Sequence, residues 1–426
     1  TLKSDWSLRS DLGSFSVGAL LRNIDFLYDE WAGTDSLFLY DTSFWDGEQW
    51  TVEDPPTIGV LHVQPEFNFN ENEATWKMGT YAQWQAGLGQ KAQVTAGGRA
   101  DYFTATEELA MSPRVNLELF LDDETNLHMG YGKHYQYPGY YLVYRDPDDR
   151  NHDLKAKFTH QFAVGIEHFF APDFRGSLEA FYKRYKNLPT HYYWTNQKEE
   201  YPLPLEHRTH WLNAGEARSR GFELFLQKKM TQNWHLLLSY AWSHSQAKDM
   251  RLFFTGSGSL NDKERGGEWY DWDYDIRHQL TFIGGWKKKF HKEVWYQELK
   301  KKKWFRIAST VLGPLNPLAD EVELNVRFGY NSGRPYTERT YFPELRDWVA
   351  AEDADWNSLR FPEYHRLDFM FLQRWMLPKM NIVTYVDIMN IYDRNNIWDY
   401  AYSSDGTREE VWQYKTVPVG GVTLEF

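Results

Sequence analysis

Three sets of residues have the types and spacing to do chemistry. The first is charged and recurs at every second position: Arg99 with Asp101, Glu323 with Arg327, Arg366 with Asp368, and Arg374 further along the same run. Charges two residues apart share one face of a strand, where they either meet a polar partner or pair with one another along a wall. The second set is aromatic: Tyr140, Tyr141 and Tyr144; Tyr192, Tyr193 and Trp194; Trp269, Tyr270 and Trp272. Rings with acidic neighbours can stack on sugars, peptides or planar chelates, and they can equally pack loops against each other. The third is His207, Arg208, His210 and Trp211. Two His at i, i+3 with neither a helix nor a third ligand do not make a metal site, so no metal or cofactor is expected. Enzyme motifs are not found: there is no nucleophile elbow, phosphate loop or His-Glu-x-x-His, and the pairs Gly97-Gly98 and Gly420-Gly421 sit inside strand patterns.

The elements that must position these groups show in the hydropathy pattern. Val322, Leu324, Val326, Phe328 and Tyr330 alternate with Glu323, Asn325, Arg327 and Gly329. Leu367, Phe369 and Phe371 alternate with Arg366, Asp368 and Met370, and the same period of two recurs over 94–102, 115–121 and 234–242. Each is a strand with one apolar and one polar face. The strands pair through short polar turns such as Gly89-Gln90, Asp122 to Glu124, Ala171 to Asp173, Met230 to Asn233 and Pro378-Lys379. Between pairs lie long segments, 32–74, 138–156, 188–216, 245–273, 333–362 and 393–411. Loops beyond about 12–15 residues are rare in compact domains, so their regular occurrence on alternate connections needs a reason. An antiparallel transmembrane β-barrel supplies it, with short turns at one end, long loops at the other and strands of about ten alternating residues. Charge on the lipid face would cost about 2–4 kcal/mol per Arg or Lys at the midplane, which assigns the charged positions to the lumen.

Composition agrees with that architecture and excludes others. The 426 residues include 20 Trp, 28 Tyr and 27 Phe, yet mean hydropathy is −0.68, as expected when an oily face and a wet face are averaged along every strand. No apolar run approaches the roughly 18 residues of a membrane-spanning helix. The absence of Cys removes disulfide scaffolds and thiolate chemistry, and a net charge of −13 argues against nucleic acid as a partner. A propeller should show a signature repeating at about 40–50 residues, and none is present. Ahead of Thr1 no charged and apolar leader is seen, so an export signal is expected to be removed or to lie outside the sequence.

Read in order, the local patterns resemble the barrel of TonB-dependent outer-membrane receptors of Gram-negative bacteria, particularly their Bacteroidota branch. They run from Tyr81-Ala82-Gln83, Gly97-Gly98-Arg99 and Ser112-Pro113-Arg114 through Gly130-Tyr131-Gly132-Lys133 and Gly165 to His168. They continue with Glu179 to Lys183, Asn213 to Glu223, Tyr240 to Ser243, Tyr274 to His278, Ser332 to Thr337 and Tyr364 to Asp368, ending at Pro418 to Phe426. The terminal Phe426 closes an alternation with Val422 and Leu424 and matches the aromatic end by which such barrels are recognised for assembly. The resemblance implies a 22-stranded barrel around a plug. About fifteen strands are counted, an odd number that cannot close antiparallel. The whole of 1–426 is therefore expected to be the C-terminal part of such a barrel, without its plug.

The resemblance implies an outer-membrane active importer of a scarce bulky nutrient, whether siderophore, haem, cobalamin, glycan or peptide, energised by the TonB system through a plug outside this chain. The alternatives are a passive porin, or a structural or partner-binding barrel subunit working with a surface lipoprotein or another outer-membrane component. Outer-membrane lipid and lipopolysaccharide are expected around the wall. In the family, inward charges contact the plug; a ladder of ion pairs that stiffens the wall is the competing reading for Arg99, Asp101, Glu323, Arg327, Arg366, Asp368 and Arg374. Lys287 to Lys289 and Lys300 to Lys303 bracket a connection where a short turn is expected. A solvated extension of its two strands is the default expectation, and docking of a periplasmic partner or anionic headgroups the other.

Overall fold

The computed structural model describes residues 1–32, 35–64, 67–144, 151–191, 211–248, 268–312, 318–350 and 355–426. Its frame is one antiparallel sheet in which fifteen strands follow chain order, with a two-residue sixteenth, Tyr270–Asp271, beside one of them. We number the ladder β1 (Leu2–Ser10), β2 (Gly13–Ala32), β3 (Phe67–Gly87), β4 (Ala92–Phe103) and β5 (Glu108–Phe120). Then come β6 (Thr125–Gln136), β7 (Lys157–Ala171), β8 (Phe174–His191), β9 (Trp211–Thr231) and β10 (Trp234–Lys248). The last five are β11 (His278–Lys288), β12 (Glu321–Asn331), β13 (Tyr364–Leu377), β14 (Met380–Met389) and β15 (Val417–Glu425).

The strands form because their residues alternate, and register keeps like faces together. Between β12 and β13, Leu324 faces Phe371, Val326 faces Phe369 and Phe328 faces Leu367, while Arg327 faces Asp368 between them. A slip of one residue would turn the apolar set inward and the charges toward lipid, so the register is strongly specified. The outer face stays apolar across the sheet, with Phe15, Val17, Met78, Val115, Met129, Phe162, Val164, Ile166 and Leu178 all exposed on it. In water such a surface would be a liability; in hydrocarbon it is the expected solution.

The connections alternate as expected. Turns of two to four residues join β1 to β2, β3 to β4, β5 to β6, β7 to β8, β9 to β10 and β13 to β14; at the opposite end β4 meets β5 through four residues, and the other connections there are long. Two expectations need correction. The segment 32–74 is not all loop: β2 and β3 pair as far as Ala32 with Phe67. At about 3.3 Å per residue, strands of 20 and 21 residues exceed the nine to eleven that cross a bilayer, so roughly half of each stands above it. The Lys-rich connection between β11 and β12 does not extend two strands; it forms two helices, α2 (Val294–Lys301) and α3 (Lys303–Leu312). Runs such as Glu298-Leu299-Lys300-Lys301 lack β-branched residues and have good helix formers, with Glu298 bonded to Lys301 at i, i+3.

A barrel wall has no central core. Two small buried clusters lie at the long-loop end, one of Phe103, Ala105, Val143 and Tyr144 backed by Phe26, Tyr137 and Tyr140, and one of Leu188, Ala217 and Ala247 backed by Tyr185, Tyr270 and Trp272; at the opposite end Tyr296 and Phe305 are buried in the connection between β11 and β12.

Candidate functional site

Charged side chains expected on the inner face do lie together, some paired along one strand and others across the ladder. Arg99 meets Asp101 through two hydrogen bonds of 2.6 Å, a bidentate fork. Asp368 is a hub: it accepts from Arg327 Nε at 2.8 Å, from Arg366 Nε at 2.9 Å and from the Asn390 amide at 2.9 Å, and it is almost fully buried. Glu323 lies 3.6 Å from Lys287 Nζ and accepts from Asn325 at 3.1 Å. Arg374 pairs with Glu425, next to the terminal Phe426, which is itself exposed. The same face holds pairs that sequence reasoning did not single out: Arg175 with Glu167 at 2.7 Å, His128 with Glu179 at 3.3 Å and Lys287 with Glu321 at 3.3 Å. Their parity in the alternation was the available signal. As it stands the set is a wall of satisfied ion pairs.

The aromatic candidates divide. Tyr140, Tyr141 and Tyr144 form a five-residue helix, α1 (Tyr140–Tyr144). Tyr140 stacks on Phe26 at 5.1 Å and meets Phe103 edge-on at 5.5 Å, with Lys77 Nζ 5.0 Å from its ring. Tyr144 is buried against Phe26 and His152, whereas Tyr141 is exposed. Just before the helix, Tyr137 donates to the Asp101 carbonyl at 2.6 Å, and burial with the nearby charges of Asp101 and Glu108 pushes its phenol up to about 12. Trp269 lies under the Arg218 guanidinium at 4.2 Å; Tyr270 and Trp272 pack on the Leu188 cluster, Trp272 meeting Tyr185 at 5.6 Å. Tyr192, Tyr193 and Trp194 fall outside the described residues, as do His207, Arg208 and His210; Trp211 opens β9.

A second charged group, at the base of the loop before β11, was not foreseen as a site. Asp271 and Asp275 share Arg277 and Arg360: Arg277 donates to Asp275 at 2.6 Å and to Asp271 at 2.8 Å, and Arg360 bonds both carboxylates. His244 lies 3.1 Å from Asp271, and fully buried Asp275 also accepts from the Ser245 amide at 2.6 Å. Burial opposes ionisation of Asp271, but hydrogen bonds from Arg360 and His244 and the charges of Arg277 and Arg360 outweigh it, holding the carboxyl below the usual range. Asp273 goes the other way, pushed up by burial despite a hydrogen bond from Asn357.

The long connections also clasp one another. Trp50 Nε1, from the β2–β3 connection, donates to Tyr341 Oη at 2.7 Å, and Tyr341 donates to the Ser404 carbonyl at 2.6 Å. Trp348 Nε1 donates to the Ser403 carbonyl at 3.0 Å. Gly406 turns there at φ +90°, and a Cβ on it would press on Trp45 and Tyr341. Connections from near both ends of the ladder thus meet over one end of the wall.

A family model for the β-barrel of TonB-dependent receptor-like proteins matches residues 3–391. The chain belongs to the TonB-dependent receptor β-barrel family. With that assignment the wall is an antiparallel transmembrane barrel wall of the outer membrane. Solved structures agree on the fold. The outer-membrane transporter YddB of Escherichia coli is similar at 12% identity and TM-score 0.57 over 99% of this chain and 53% of its own. FpvA of Pseudomonas aeruginosa, in complex with a pyoverdine and iron, is similar at 12% identity and TM-score 0.58, over 99% and 47%. BauA, the ferric preacinetobactin receptor of Acinetobacter baumannii, gives 13% and 0.57, over 100% and 54%. The chain spans about half the length of the structures it matches. Among curated proteins none matches it.

Proposed function

We propose that the chain forms the C-terminal part of the wall, and the capturing loops, of an outer-membrane importer for a scarce bulky ligand, energised by TonB through a plug carried outside these residues. The observation that carries this reading is the pairing of a polar, ion-paired inner face with a cap of interlocked aromatic loops at one end only. A general diffusion pore has less use for such a cap, since it slows entry; a capture device needs one. In this reading Tyr141 and Trp269, with Tyr192, Tyr193 and Trp194, present rings to the ligand, while Tyr140, Tyr144, Tyr270 and Trp272 hold the loops that carry them. Arg99, Asp101, Glu323, Arg327, Arg366, Asp368 and Arg374 present the inner face to the plug.

We further propose that strands outside 1–426 complete the wall, because among the described residues β1 and β15 each pair on one side only. Fifteen antiparallel strands leave these two running in the same direction, and an open edge is not tolerated in lipid. Ferric siderophores are the first ligands to try, since FpvA is seen in complex with a pyoverdine and iron and BauA is a ferric preacinetobactin receptor. A deletion strain should fail to grow on limiting amounts of the ligand and recover with the full-length gene. Recovery by a gene whose TonB-contacting segment has been deleted would replace active import with passive diffusion.

A further inference from the structure

The helical connection between β11 and β12 lies at the end of the wall where the other connections of the same phase are turns of two to four residues. It is held there firmly. The His291 amide donates to the Asp320 carbonyl at 3.0 Å, Tyr296 Oη donates to the Leu318 carbonyl at 3.2 Å, and Lys300 Nζ bonds Asp320 at 2.7 Å. The other Asp320 oxygen accepts from the Met376 amide at 2.8 Å, tying the hairpin to the end of β13 as well. Tyr296 and Phe305 are buried between the helices, with Phe290 packed on Tyr296.

The opposite side of the helices is the informative one. Trp304, Ile307 and Val311 follow at i, i+3 and i+7 on α3, and all are more than half exposed; Val294 and Trp295 at the start of α2 are exposed to a similar degree. Around this stripe stand Lys289, Lys292, Lys302 and Lys303, all exposed. A hairpin designed only to shorten or lengthen a turn in water would not turn two Trp, an Ile and two Val outward. The hairpin follows shortly on a lipid-facing edge of the wall: Trp286, near the end of β11, pairs with Trp234 and Leu324 on the outward face, the level at which barrel aromatics mark the edge of hydrocarbon.

We propose that α2 and α3 lie in the periplasmic leaflet of the outer membrane as an interfacial anchor. Trp295, Trp304, Ile307 and Val311 enter the boundary between headgroups and acyl chains, and the lysines face anionic phospholipid headgroups. The occupant is the bilayer because the hairpin leaves the wall just past Trp286 at its lipid-facing aromatic edge, and because the exposed lysines of the connection carry the charge that anionic headgroups attract. The anchor fixes the wall's height and rotation in the membrane at a point where every other turn is too short to reach sideways.

The chain has no Cys, so a single one can report on this face. The full-length receptor carrying Ile307→Cys, Val311→Cys or Lys302→Cys would be spin-labelled and placed in vesicles of phosphatidylethanolamine with phosphatidylglycerol, with folding checked by heat-modifiable migration. Labels at 307 and 311 should collide several-fold more with oxygen than with a water-soluble nickel complex, and the label at 302 should show the reverse. Aqueous accessibility at 307 and 311 would overturn the proposal. Shielding from both reagents would also overturn it, in favour of a protein cover. Raising the phosphatidylglycerol content should deepen the 307 label, and Lys302→Gln with Lys303→Gln should remove that dependence; a depth insensitive to phosphatidylglycerol in the parent would overturn the headgroup assignment.

Discussion

Asp368 shows what one residue does in this wall. Its carboxylate holds two guanidinium groups from adjacent strands and caps the Asn390 amide at the start of the final long connection. Charged hydrogen bonds of this kind contribute about 1.5–3 kcal/mol each, and removing one partner leaves the others unsatisfied. Asp368→Ala should therefore destabilise the folded barrel by about 3 kcal/mol, read as a lower temperature for loss of the heat-modifiable form in detergent. The Asp271 group makes a prediction about pH. A carboxyl held below its unfolded value adds stability that is present above about pH 4 and lost as pH falls through the lowered value. Asp273, pushed up, contributes in the opposite direction, so the measurement belongs in an Asp273→Asn background. There, the protection of the Ser245 and Trp272 amides against hydrogen exchange, taken relative to the intrinsic rate at each pH, should fall below about pH 4, and should not do so when Arg360→Ala has already removed the partner.

At the scale of elements the alternation can be tested directly. Val326 is in the middle of β12 on the outward face, and its neighbour Asn325 points inward beside Glu323. Val326→Arg should reduce folding into bilayers by about 2–4 kcal/mol, while Asn325→Arg should be tolerated within about 1 kcal/mol; folded fraction in vesicles decides, and equal losses would refute the face assignment. The strands themselves were readable because period two is local information. The helical hairpin was not, because a Lys-rich, aromatic run of 289–312 is compatible with solvated strand or helix, and Asp320, which anchors it, acts through Lys300 at a distance of 20 residues. The upper part of β2 and β3 was missed for a related reason: above the bilayer both faces are wet and the alternation that marks a membrane strand disappears.

For the whole molecule, the loops matter more than the wall. The clasp through Trp50, Tyr341 and Ser404 joins connections about 290 and 60 residues apart, and Tyr341→Ala should uncouple them. Limited proteolysis on intact cells should then cut the 35–64 or 397–412 segments several-fold faster, with the barrel's heat-modifiable form unchanged; loss of that form would show that the clasp holds the wall and not only the cap.

The sequence by itself determined the strand wall, its two faces and the end at which the loops gather, since each follows from the cost of placing a polar backbone or a charge in hydrocarbon, paid strand by strand. It also marked Arg327 and Asp368 as inward charges. Which charge meets which, which rings are buried and which remain open, and that 289–312 folds into a helical pair were decided only by tertiary structure. Those outcomes depend on partners far apart in the chain, such as Arg360 on Asp275 or Tyr296 on Leu318, and no local period encodes such a meeting.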